Sequence, residues 1–135
     1  MRDREFENEF LNAAAREAAI SGQALEAFKS RVWKRLDKDG PAEYGGDDAY
    51  ASRPPDELVS ETMEESEDIA AWSLLTVQRL YDYERDGEID QEIAHLIRLN
   101  LLSSVAASLK AHGFLTNAKG LLKEYSRKPA KTSGD

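Results

Sequence analysis

Apolar residues return every three or four positions along most of this chain, and nowhere do they alternate every second position. That period predicts helices and no strands. The first helical segment is expected from Asp3 to Lys38, with Phe6, Phe10, Leu11, Ala14, Leu25, Phe28, Val32 and Leu36 on its buried side. Ser21-Gly22 marks a break or kink inside it, because glycine weakens a helix and serine caps the next one. Asp39-Gly40-Pro41 ends the segment: glycine supplies a left-handed cap and proline blocks continuation.

Residues 42–55 read as a long loop, and a connection of that length inside a compact domain is usually functional or mobile. Ser52 ahead of Pro54-Pro55 suits a capped helix start. The second helix is then expected from Pro55 to Asp86. It is apolar on several sides (Leu58, Val59, Met63, Ile69, Trp72, Leu74, Leu75, Val77, Leu80), as befits a central helix with more than one neighbour. Asp86-Gly87 is a turn signal. A third helix is expected from Glu88 to Ala111, with a stripe of Ile89, Ile93, Leu96, Ile97, Asn100 and Ala107, stopped by His112-Gly113. Thr116 would cap a short fourth helix ending near Tyr125. The sum is an all-α antiparallel bundle of about four helices, one domain over residues 1–126, with a disordered polar tail over 127–135.

Composition narrows the function classes. The chain has 135 residues, 33% of them charged, no cysteine and a net charge of −8. It is long enough for a real core, has no thiolate metal site, and is too acidic for nonspecific binding to nucleic acid or anionic membrane. No apolar run reaches the ~18 residues of a membrane span, and the acidic stretch Met1–Phe10 is unlike a signal peptide. A cytoplasmic location is the expectation that follows, cysteine-free composition included.

Charge is distributed unevenly. Between Arg53 and Arg79 there is no lysine or arginine, yet Asp56, Glu57, Glu61, Glu64, Glu65, Glu67 and Asp68 all fall there. Glu57, Glu61, Glu64 and Asp68 are spaced four, three and four apart, the repeat of one helix face. Like charges at that spacing repel by a few tenths of a kcal/mol per pair. Continuing the same stripe gives Ala71, Trp72 and Leu75, so the acids are expected to run into a buried face and to point towards a bundle interior or cleft. Buried carboxylates need a cation or donors, and oxygen ligands without His or Cys favour Mg²⁺ or Mn²⁺ over Zn²⁺. The bland alternative is a surface helix whose acids pair with Arg31, Lys34, Arg35 or Lys119.

The stretch Glu61-Thr-Met-Glu64-Glu65-Ser-Glu67-Asp68-Ile-Ala-Ala-Trp72, with Glu43-Tyr44-Gly45 ahead of it, resembles the all-α nucleoside triphosphate pyrophosphatases. These form the MazG-like and dimeric dUTPase-like superfamily; the likeness is to its short phage-type members and covers residues 40–85. Its members carry an E-x-x-E pair on one helix and an E-x-x-D pair on the next, hold Mg²⁺ with the four acids, and split a nucleoside triphosphate into monophosphate and pyrophosphate. Glu61-Thr-Met-Glu64 has the first spacing and Glu65-Ser-Glu67-Asp68 the second. The resemblance implies that Glu61, Glu64, Glu65 and Asp68 bind metal, with Glu64 or Glu65 as general base. Candidate nucleotide contacts are Tyr44 and Trp72 for base stacking, Arg79, Lys119 and Lys123 for phosphate charge, and Asn100 for a base edge or ribose hydroxyl. Asn100 as a core amide satisfied by a neighbouring helix is the alternative.

The chain departs from the family in placing both acidic pairs on one helix. Either that helix breaks near Met63, or a symmetry mate in a homodimer or larger homo-oligomer completes the site, or the chain binds nucleotide without cleaving it. A different class stands beside these: a non-enzymatic acidic helical protein, such as a phage-encoded inhibitor or subunit, docking on a basic partner.

Overall fold

The computed structural model describes residues 2–39 and 52–127, and these are all-α: four α-helices and one π-helical turn, with no strand among the described residues. Contacts divide the chain into two compact units, Met1–Arg53 and Pro54–Asp135. Most of the expected loop, including Tyr44, and residues 128–135 of the expected tail lie outside the described residues.

The first unit is a helical hairpin. Helix α1 (Arg4–Ala18) starts at Asp3, whose carboxylate accepts from the backbone N–H groups of Glu5 and Phe6 and so satisfies two otherwise orphaned donors. It ends at Ala19, which takes the left-handed conformation at φ 57°. The Ala19 and Ile20 amides donate back to the Arg16 and Ala15 carbonyls, the paired bonds of a Schellman cap. Helix α2 (Gln23–Lys34) follows and widens into the π turn Arg35–Asp39. The break was thus expected in the right place, but it is a full turn, and Gly22, not Ser21, occupies the cap position of α2 with no side-chain bond.

Packing between α1 and α2 is thin. Phe6, Phe10 and Phe28, expected in a core, are more than half exposed. Polar contacts close the open end: Arg2 spans Glu7 at 2.8 Å and Asp37 at 2.9 Å, and donates to the Leu36 carbonyl. Arg4 also reaches Asp37, at 2.6 Å, and stacks on the Trp33 ring at 4.0 Å.

The second unit is a longer hairpin of α3 (Pro55–Arg85) and α4 (Gln91–Arg127). Pro55 opens α3 at a position where its missing N–H costs nothing. Pro54, not Ser52, occupies the cap position. At the other end Gly87, at φ 74°, allows a second Schellman cap: its amide donates to Glu84 and that of Glu88 to Tyr83. Asp90 then caps α4 by accepting from the Glu92 and Ile93 amides.

A correction concerns α4. One continuous helix replaces the expected third and fourth helices, and His112-Gly113 does not stop it. Glycine ends a helix when it adopts the left-handed conformation; Gly113 stays helical, at a cost of about 1 kcal/mol relative to alanine. Thr116 donates its hydroxyl to the His112 carbonyl one turn back and does not cap.

The seam between α3 and α4 explains why the hairpin closes. On α3, Val59, Met63, Ser66, Ala70, Ser73, Val77, Leu80 and Glu84 are buried or half-buried, alternating by four and three. On α4, Ala94, Ile97, Leu101, Ser104, Ser108, Ala111, Leu115, Ala118 and Leu122 do the same. This is the 3.5-residue repeat of an antiparallel coiled coil, and its middle is small. Ser66 and Ser108 donate their hydroxyls to carbonyls of their own helices, so close approach leaves no polar group unsatisfied. The stripe expected on α4 is therefore rotated: Ile93, Leu96, Asn100 and Ala107 flank the seam and are exposed, and the residues between the helices are smaller.

Candidate functional site

The acids occupy the first half of α3. With Ser66 and Met63 facing α4, residues two positions away lie on the opposite side of the helix, since each residue turns about 100°. Glu57, Glu61, Glu64, Glu65 and Asp68 all fall on that outer face and are exposed. The expectation that they point into the interior of their own bundle is overturned by this register. α3 does not break near Met63 either, so both acidic pairs share one continuous helix.

The apolar continuation is where the sequence placed it, yet it is not covered. Trp72 is 70% exposed and Leu75 55%, directly beyond Asp68 on the same face. A carboxylate row about three turns long thus runs into exposed Trp72 and Leu75. A face meant only for water has no reason to carry Trp72 and Leu75.

The remaining candidates are not all gathered there. Arg79 lies on the outer face but three turns past Asp68, about 16 Å along the axis; it pairs with Asp82 at 3.6 Å and lies over the Tyr83 ring. Asn100 is exposed on α4, and its side-chain amide donates to the Leu96 carbonyl of its own helix at 3.0 Å, so it is not a core amide held by a neighbouring helix. Lys119 and Lys123 are also on α4, away from the acidic face by register. Among the described residues no ion pair joins Lys119 to Glu64, Glu65 or Asp68; Arg31, Lys34 and Arg35 belong to the first unit. No group of three or more His, Asp or Glu side chains among the described residues is gathered closely enough to hold a metal ion by itself.

Two pairings escaped the sequence reading. Glu67 leaves the acidic face and lies 3.2 Å from His112 Nε2, across the seam. Near the turn, Arg98 pairs with Glu84 at 2.9 Å and lies over the Tyr81 ring at 4.9 Å. Both sit where an antiparallel coiled coil brings flanking positions together, a signal that requires α4 to be recognised as one helix.

No family model, curated protein or solved structure matches the chain.

Proposed function

We propose that this chain is a metal-dependent nucleoside triphosphate pyrophosphohydrolase-like protein, splitting a (deoxy)nucleoside triphosphate into monophosphate and pyrophosphate, or a relative that binds nucleotide alone. The observation that carries the reading is the outer face of α3. Glu61, Glu64, Glu65 and Asp68 follow one another over two turns of helix, about 10 Å, and lead into exposed Trp72. Their all-oxygen donor chemistry fits a hard divalent ion such as Mg²⁺ or Mn²⁺. A row on one helix is not a cage, so the remaining ligands come from water, substrate or a second copy of the chain.

When bound, such an ion screens phosphate charge and acidifies water. The chain's own residues would do the rest: Glu64 or Glu65 accepts a proton from the attacking water, and the Trp72 ring offers a stacking surface for a base. A soluble nucleotide, with no membrane or nucleic acid, is the partner this reading requires; no described helix is long and apolar enough to cross a membrane. The test is a panel of NTPs and dNTPs with Mg²⁺ or Mn²⁺, reading pyrophosphate release. Metal-dependent release that Asp68→Ala abolishes supports the reading; no release and no nucleotide binding by any member of the panel overturns it.

The exposure of the same stripe favours a second reading, an acidic helical interaction protein that docks this face on a basic partner. Such a complex would need no divalent ion and would weaken with salt.

A further inference from the structure

Apart from the acidic face, the α3–α4 hairpin carries an apolar groove along one flank of its seam. Two depressions of about 270 and 370 Å³ lie end to end in it, meeting at Val105. Their floors are small: Ser66 and Ala70 in one, Ser73 in the other. Leu109 (72% exposed) stands at the rim of the first, and Leu102 (65% exposed) is the most exposed of three leucines, with Leu74 and Leu99, at that of the second. The floor serines are seven residues apart on α3 and the rim leucines seven apart on α4. Both intervals are about 10 Å, two turns of helix.

Knobs and hollows at one spacing, placed on either side of Val105, meet a condition for self-complementarity across a two-fold axis. We infer that this groove is the interface with a second copy of the chain: Leu102 and Leu109 of each copy fill the hollows of the other, with the axis near Val105. Three further observations favour a second copy as the occupant. Among the described residues no large side chain is fully buried, so the single hairpin lacks the core its leucines are able to build. The exposed parts of Leu74, Tyr81, Leu99, Leu102 and Leu109 offer roughly 600 Å² of the ~800 Å² per partner in a standard interface. The flank also carries few acids in a chain of net charge −8. Its carboxylates, Glu67 and Glu84, lie 3.2 Å from His112 and 2.9 Å from Arg98 of the same hairpin, and the acidic stripe is on another face. Two equally acidic chains therefore meet here without opposing their acids. The inference does not rest on the nucleotide reading, and its test involves no nucleotide.

Sedimentation equilibrium of the full chain is expected to give twice the 15.1 kDa chain mass, at low and at high salt. The double variant Leu102→Glu/Leu109→Glu is expected to sediment as a monomer, and Leu121→Glu, on the other flank, as the wild-type dimer. The chain has no cysteine, so a second measurement covers the case in which the double variant misfolds. Val105→Cys with a short bis-maleimide is expected to give a covalent dimer, and Leu121→Cys none. A monomeric wild type, a dimer that survives the double substitution, or crosslinking at Leu121 but not at Val105 overturns the inference.

Discussion

Single residues decide where these helices stop and start, and several make sharp predictions. Ala19 holds a left-handed cap that a Cβ disfavours, whereas Gly113 sits mid-helix with nothing within 4 Å of an added Cβ. Ala19→Gly and Gly113→Ala should therefore each stabilise the protein, by about 0.5–1 kcal/mol. The check is a rise of about 4 °C or more in melting temperature per kcal/mol. A fall for Gly113→Ala would restore the expected helix stop.

The Arg2–Glu7–Asp37–Arg4 cluster gives the first unit a pH dependence. The hydrogen bond from Arg2 holds the Glu7 carboxyl below its usual range, and that from Arg4 does the same for Asp37. Carboxylates with depressed folded pKa values stabilise fully above the unfolded values of about 4, and the contribution is lost as pH falls through the lower folded values. Glu7→Gln should cost about 1 kcal/mol at pH 7 and less at about pH 3, below the unfolded value. Melts followed by circular dichroism at both pH values measure that difference.

At the scale of elements, the α3–α4 seam is set by small residues in register. Ser73→Leu should overpack it and cost about 1–3 kcal/mol, whereas Leu75→Ser on the exposed outer face should leave stability within about 0.5 kcal/mol. Chemical denaturation of the two variants makes the comparison. The same seam accounts for what was legible in the sequence. The bounds of α3 were clear because Pro55 and Asp86-Gly87 are strong local punctuation. The register of α4 was not, because reading large apolar residues as core selects Ile93 and Leu96, and the true seam is Ala94, Ser104 and Ser108. Gly113 misled for a related reason: a glycine's residue type does not reveal its φ. Of the candidate site, the shared face of Glu61, Glu64, Asp68 and Trp72 followed from spacing alone. Its outward direction did not, since that depends on which side α4 covers.

At the scale of the molecule, two features of the second unit stay uncovered in a single chain. One is the groove of Leu102 and Leu109, and the other is the α3 face of acids and Trp72. They lie on different faces of one hairpin, so self-association through the first leaves the second free for the proposed nucleotide and metal. The proposed binding of a divalent cation by the outer acids of α3 is tested by the melting temperature with and without millimolar Mn²⁺, for the wild-type chain and for Asp68→Ala. Mn²⁺ is expected to raise the wild-type value and to leave Asp68→Ala unmoved. A wild-type melt indifferent to Mn²⁺, or an equal rise in both proteins, would contradict it.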